Sequence, residues 1–341
     1  MVNGDLCHEL LLKKITPSLG YDKARDFGEW KTELKDKFVA LTGIDTIAAN
    51  ACAPELRIVS KEDKGTYTLI RYEFFSEIGE TVPCYLLIPK SGKKKYPVAI
   101  TLQGHVTGFH NSIGVAKYAG DEDGLDRKSV ALQAVENGFI ALAIEQRGMG
   151  ERRPTTPLRG RQINCRFASF VAISMGRTLI GERVWDVSRA IDTLSNFPEC
   201  DTDKILITGN SGGGTASYYS ACYDERIKLS VPSCAFCPYK DSVLTILHCE
   251  CNQIPRGIEY FEMQDLSALI FPRRLIVVSG GKDDIFPIDG ARRGFETVKA
   301  IYADNGKADN CRMIETPEPH WWCKDIVWNA IKKEAESLGW F

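Results

Sequence analysis

The segment Ile205–Tyr218 reads I-L-I-T-G-N-S-G-G-G-T-A-S-Y, a short apolar run, then Gly209-Asn210-Ser211-Gly212-Gly213, then a stretch with helical pattern. No other feature constrains the fold as much. A serine on so tight a strand-to-helix turn is held in a strained backbone conformation, and the positions two residues to either side must lack side chains. The order strand, elbow, helix therefore predicts Ser211 at the top of a sheet, with its hydroxyl exposed. The following helix aims its N-terminus and the Gly212 N–H at the same point. The pentapeptide alone is weak in a chain with 29 glycines. What separates it from a glycine-rich turn is the β-branched run before it and the helical pattern after it.

An elbow serine needs an acid and a base later in the chain. Residues 274–280, R-L-I-V-V-S-G, have the pattern of a buried strand, and Gly281-Lys282-Asp283-Asp284-Ile285-Phe286-Pro287 follows at the strand end where α/β sites gather. Asp283 is the expected carboxylate and Asp284 the alternative; either could instead form an Asx turn or cap the helix near Pro287. The five histidines are His8, His105, His110, His248 and His320. Only His248 and His320 follow Ser211, and only His320 follows the acid, so His320 is the base in the order Ser…Asp…His. The run P-V-A-I-T-L at 97–102 gives an earlier strand, after which Gln103-Gly104-His105 offers the His105 backbone N–H as an oxyanion donor beside that of Gly212. The His105 ring as a general base is the competing reading, but it precedes the nucleophile.

With these residues in place the chain resembles an α/β-hydrolase of the dienelactone hydrolase and acetyl xylan esterase type. The resemblance spans about residues 80–341. It is carried by L-Q-G-H at 102–105, Gln146-Arg147-Gly148-Met149-Gly150, G-R-T-L-I-G-E-R-V-W-D at 176–186, G-N-S-G-G-G at 209–214, G-K-D-D-I-F-P at 281–287 and P-H-W at 319–321. It implies a serine esterase that removes short acyl groups, often acetyl, from sugars or other small alcohols. Asn210 departs from the family pattern, where many relatives carry an aromatic or aliphatic residue, and Trp321-Trp322 makes the segment after the histidine unusually aromatic. A serine peptidase or thioesterase of the same fold is the runner-up. The chain lacks room for the propeller domain usual in prolyl-oligopeptidase relatives.

Periodicity gives a mainly parallel sheet covered by helices on both faces. Residues 1–50 form a helical extension and 51–341 a catalytic domain. Strands are expected at 66–75, 81–88, 97–102, 139–144, 204–208, 228–232, 274–279 and 311–315. Helices are expected at 5–14, 22–42, 126–137, 181–196, 212–223, 288–303 and 322–338. The 22–42 helix either covers the sheet edge or makes a contact between subunits of a homo-oligomer. With 341 residues, 44% of them hydrophobic, and a net charge of −2, one large core is expected, and nucleic acid or an anionic membrane is not the expected partner. The N-terminal apolar run is too short for a secretory signal, and no window approaches the ~18 apolar residues of a membrane span. A cytoplasmic enzyme with a small-molecule ester substrate and no cofactor is the expectation. The twelve cysteines then read as reduced, mostly buried thiols.

One cysteine group stands apart. Cys234-Ala235-Phe236-Cys237 is followed by His248-Cys249-Glu250-Cys251, spacing that suits a zinc knuckle and, in a different functional class, a non-catalytic metal-binding module on Cys234, Cys237, Cys249 and Cys251. Adjacent His248 and Cys249 would point apart, so no metal is expected. Residues 234–270 are read instead as a small lid over Ser211. Phe236, Tyr239, His248 and Met263, together with Trp321 and Trp322, would line the pocket; ordinary core is the alternative for each lid residue.

Overall fold

A computed structural model describes residues 4–154 and 165–341. Three helices open the chain, α1 (Leu6–Lys14), α2 (Phe27–Thr42) and α3 (Ile44–Ala48). Helix α2 starts where the Asp26 carboxylate accepts the Glu29 N–H at 2.9 Å and stops at Gly43, whose φ is 72°. These are an acidic N-cap and a left-handed C-terminal stop. Between them Trp30, Leu34 and Phe38 recur at four-residue spacing and are buried, so one stripe of the helix faces protein. Phe38 packs 5.8 Å from the ring of Tyr219, and the Lys35 ammonium donates to the Cys222 carbonyl at 2.8 Å. The apolar stripe is thus buried within the chain. Each such side chain contributes roughly 1.5–3 kcal/mol, enough in sum to fix the extension on the body.

The strands β1 (Leu56–Asp63), β2 (Tyr67–Glu77) and β3 (Glu80–Pro89) form an antiparallel meander. The sequence pattern reveals β2 and β3 but not β1. Its residues L-R-I-V-S-K-E-D bury no side chain fully, so neither alternation nor an apolar run marks this edge strand. Next come β4 (Tyr96–Leu102), α4 (Leu125–Lys128), α5 (Val130–Glu136), β5 (Ile140–Ile144), α6 (Cys165–Ser174) and α7 (Leu179–Thr193). The single helix expected over 126–137 is broken at Ser129, whose ψ of 48° is not helical. The remainder is β6 (Cys200–Asn210), α8 (Gly212–Tyr223), β7 (Ile227–Ser233), α9 (Ser267–Ile270), β8 (Arg274–Gly280), α10 (Ile288–Asp304), β9 (Cys311–Thr316) and α11 (Lys324–Ser337).

Among the described residues the strands make one sheet in the order β1-β2-β3-β5-β4-β6-β7-β8-β9. It is antiparallel as far as β5 and parallel from β5 through β9. Every residue of β4 and β5 is buried, as expected for strands covered on both faces. One face carries Phe38, Tyr219, Phe295 and Ile301 from α2, α8 and α10; the other carries Val130, Ala134, Trp328 and Ile331 from α5 and α11. Strand β4 has β5 on one side and β6 on the other. The chain reverses its direction of winding there, and the loops leaving β4 and β6 diverge to open a cleft. No helix among the described residues is long and apolar enough to cross a membrane.

Candidate active site

Strand β6 ends at Asn210 and α8 begins at Gly212, which leaves Ser211 alone at the corner with φ 58° and ψ −125°. That is a strained conformation for a residue with a Cβ. Its cause is the close approach of the β4 backbone. A Cβ on Gly213 would stand 2.0 Å from the Leu102 carbonyl oxygen, and one on Gly209 would stand 2.4 Å from the same atom. Both flanking positions therefore have to be glycine. Ser211 is pinned by its N–H, which donates to the Ser233 carbonyl at 3.0 Å, and Asn210 accepts the Ser233 hydroxyl at 2.9 Å.

The turn after β8 brings up Asp283. It is buried, and its Oδ1 accepts the backbone N–H groups of Ile285 and Phe286, each at 2.9 Å. Its Oδ2 lies 2.8 Å from His320 Nδ1. Asp284 is exposed. The geometry thus separates the two neighbouring acids. The His320 ring lies nearly parallel to Phe286, at 9° with centroids 5.9 Å apart, so the imidazole is oriented by a carboxylate at one nitrogen and a flat wall at its side. The other nitrogen, Nε2, is buried and has no hydrogen-bond partner among the described residues. Ser211 and His320 line the same cleft of about 560 Å³. The Ser–His hydrogen bond is not formed in this state; such bonds often tighten only with substrate in place.

Cys234, with a φ of 48°, sits beside the pair, its sulfur within 4.8 Å of the Asp283 and His320 ligand atoms. Burial, reinforced by the Asp283 charge, pushes its thiol up to about 12. It therefore stays protonated at neutral pH.

The loop after β4 carries Gln103, Gly104 and His105 to the cleft wall opposite. Neither the His105 nor the Gly212 backbone N–H donates to any partner among the described residues, and both residues adjoin Ser211. The loop is held from below. Gln103 donates to Glu145 Oε1 at 2.5 Å, and Glu145 Oε2 accepts from the Phe109 and Glu151 amides. Burial raises the Glu145 carboxyl to about 7.

The motifs at 146–150 and 176–186 lie behind this loop and build a buried ion cluster. Arg147 meets Asp186 at 2.9 Å and Glu77 at 2.7 Å, Arg152 meets Asp186 at 2.8 Å, and Arg183 donates to the Arg147 carbonyl at 2.9 Å. These residues position the loop after β5 and do not touch the cleft.

Three of the six pocket residues expected from the sequence reach the cleft, His248, Trp321 and Trp322. The other three require correction. Phe236, Tyr239 and Met263 are buried in the core. Phe236 packs edge-on against Tyr218, the Tyr239 hydroxyl bonds that of Tyr219 at 2.6 Å, and the Met263 carbonyl accepts from Tyr218. The start of the 234–270 segment is drawn down onto α8, and only its middle, around Leu247–Asn252, crosses the cleft. Sequence reasoning missed Arg127, whose guanidinium stacks 4.2 Å above the Trp321 ring, and Lys128 and Asn252, which line the same cleft. An Arg-Lys pair on a short polar helix carries no signal that it lines a site.

The cysteine spacing is also corrected. Cys237 packs near Pro287 and His248 bonds Ser242 and the Ile285 carbonyl, so neither they nor Cys234 converge with Cys249 and Cys251. Those two meet Cys165 and His105 instead.

Known proteins show similarity over about three quarters of the chain or more. The protein named "Putative hydrolase YtaP" from Bacillus subtilis is 25% identical over 74% of this chain and 82% of its own length. Among solved structures, a "putative acetyl xylan esterase" from Bacteroides fragilis superposes with a TM-score of 0.82 at 17% identity, covering 98% of this chain and 95% of that one. A glucuronoyl esterase from Solibacter usitatus gives 0.67 at 16% identity over 95% and 99%. Acetyl Xylan Esterase 1 from Thermoanaerobacterium gives 0.62 at 16% over 96% and 98%. At these identities the structural likeness is one of fold. A family model matches residues 4–318, and the chain belongs to the Abhydrolase family.

Proposed function

We propose that this chain is a serine carboxylic-ester hydrolase that releases short acyl groups, acetyl foremost, from a carbohydrate or another small alcohol. The observation that carries the reading is the Asp283–His320 hydrogen bond at 2.8 Å in the same cleft as a serine on a strained elbow. In this reading His320 Nε2 takes the Ser211 proton as the oxygen attacks the ester carbonyl, and Asp283 holds Nδ1–H and balances the imidazolium. The His105 and Gly212 amides receive the oxyanion. Each such donor is worth roughly 10²–10³ in turnover. Collapse expels the alcohol with the proton from His320 and leaves an acyl-enzyme. Water activated by the same imidazole releases the acid. Nothing in this route calls on a metal or an organic cofactor.

Substrate class follows from the walls. Trp322 is 4% exposed and tied to Gln133 through its indole N–H at 2.8 Å, so it cannot swing away, and Phe286 closes the side of His320. Fixed rings next to the base leave little depth for an acyl chain. Trp321 under Arg127, with Asn210 and Asn252 nearby, offers a flat apolar platform with hydroxyl-binding groups, which suits a sugar ring. Structural neighbours named as acetyl xylan and glucuronoyl esterases support the reading. A chain-length series of p-nitrophenyl esters, run beside acetylated sugars on wild type and Ser211→Ala, tests it. Acetyl to butyryl esters should be turned over and octanoyl esters poorly, since each unaccommodated methylene forfeits about 1 kcal/mol or more. Equal cleavage of octanoyl and acetyl esters refutes the short-acyl reading, and an active Ser211→Ala refutes the nucleophile.

A further inference from the structure

We propose that His105, Cys165, Cys249 and Cys251 form a Cys3His site for a zinc ion, which ties the loop after β4 to α6 and to the segment crossing the cleft. The four side chains come from three separate stretches of chain, yet their ligand atoms all lie within 4.8 Å of one another. Cys165 Sγ is 2.9 Å from Cys249 Sγ, and Cys251 Sγ is 3.3 Å from His105 Nε2. A tetrahedral zinc with Zn–S near 2.3 Å and Zn–N near 2.0–2.1 Å needs donor-to-donor edges of roughly 3.5–3.8 Å. The Cys165–Cys249 edge therefore has to widen by somewhat under one ångström and the Cys251–His105 edge by a few tenths of an ångström. A disulfide would instead need Cys165 and Cys249 to close to about 2.05 Å and would leave Cys251 and His105 unexplained.

The second observation is the charge balance. Three thiolates and a neutral imidazole around a doubly charged ion leave one net negative charge, which needs compensation beside the buried Cys165 and Cys251. Arg183 is 1% exposed, its Nη1 has no hydrogen-bond partner among the described residues, and its charge acts on His105, Cys165 and Cys251. Four protein donors complete a tetrahedron and leave no open position, so the ion is structural and has no part in the ester chemistry. On binding, three Zn–S bonds and one Zn–N bond form and the thiols release their protons to solvent.

Placement gives the site its consequence. The His105 ring lies against Gly212, where a Cβ would meet His105 Cε1 at 3.0 Å. Coordination through Nε2 would fix the ring, and with it the backbone N–H of the same residue, next to Ser211. The inference does not depend on the esterase reading, since a zinc stoichiometry is independent of turnover.

The test is metal analysis of the full chain, purified under reducing conditions without chelator and then equilibrated with zinc. One zinc per chain is expected. Cobalt substitution should give tetrahedral d–d bands with thiolate-to-cobalt charge transfer. Cys165→Ala and Cys251→Ala should each weaken zinc binding by more than the ~10–100-fold typical of losing an outer-shell partner. If those variants fail to fold, the cobalt spectrum of wild type still decides. Zinc below a tenth of an equivalent after reconstitution, a cobalt spectrum without thiolate charge transfer, or a Cys165–Cys249 disulfide persisting in reductant overturns the proposal.

Discussion

Replacing Asp283 by Asn changes one atom and inverts the hydrogen-bonding instructions given to His320. In the wild-type site Oδ1 accepts two backbone N–H groups at 2.9 Å while Oδ2 faces His320 Nδ1 at 2.8 Å. An asparagine keeps the first pair by turning its carbonyl oxygen to Ile285 and Phe286. Its NH₂ group then points at Nδ1. The imidazole has to present an acceptor there, which moves its proton to Nε2 and leaves no lone pair for the Ser211 hydroxyl. The geometry survives while the tautomer is wrong, and a carboxylate that would balance the imidazolium is gone. The comparable substitution in a serine protease costs about 10⁴ in turnover, or about 5.5 kcal/mol at 1.36 kcal/mol per tenfold, and the same order is expected here. Steady-state kinetics with p-nitrophenyl acetate measures it, with KM changed little because Asp283 touches no substrate. Asp284→Asn serves as the control and should stay within about twofold, since that side chain is exposed. A small loss in Asp283→Asn, or a larger one in Asp284→Asn, refutes the assignment of the acid.

Other outcomes follow from the same coordinates. Gly213→Ala puts a Cβ 2.0 Å from the Leu102 carbonyl; urea unfolding should show a loss of about 1–3 kcal/mol or more, and turnover should fall ~10²-fold because the elbow moves against the β4 loop. Burial raises Glu145 to about 7 from 4.5, so the folded state prefers the neutral acid. Its stabilising contribution is complete below pH 4.5 and is lost as pH rises through about 7, on the order of 3 kcal/mol at 1.36 kcal/mol per unit. Glu145→Gln should flatten that part of the stability-versus-pH curve, with Gln103 turning its otherwise unpartnered Oε1 to accept from the new amide; an unchanged slope in denaturant titrations at several pH values contradicts this. Trp321→Ala removes the platform beneath Arg127, and it should raise KM for an acetylated sugar more than for p-nitrophenyl acetate.

What the sequence disclosed depended on how local each signal was. The elbow was legible because Gly209, Ser211 and Gly213 answer to one backbone contact within a few residues, and α8 begins where the helical pattern does. Asp283 and His320 were legible through chain order and the scarcity of histidines. Strand β1 was not, because an exposed edge strand buries too little to leave a period. Phe236, Tyr239 and Met263 were misplaced because an apolar residue in a segment near a site reads the same whether it lines the cleft or packs beneath it; only the contacts with Tyr218 and Tyr219 separate the two. The cysteine grouping failed for a related reason. Spacing paired Cys249 and Cys251 with the neighbouring Cys234 and Cys237, whereas folding brings them to Cys165 and His105, which are far away in the chain and stand in no metal-ligand spacing with them.

The central claim is that Ser211 is the one activated nucleophile of this chain. Reaction with a fluorophosphonate, followed by peptide mapping, tests it most directly, because the reagent requires an activated serine, not merely an exposed one. The account predicts one adduct per chain, carried on the peptide containing Ser211, formed at a rate that drops by orders of magnitude in His320→Ala and abolished in Ser211→Ala. An adduct on any other residue, or labelling of Ser211 that is as fast without His320 as with it, would contradict the account.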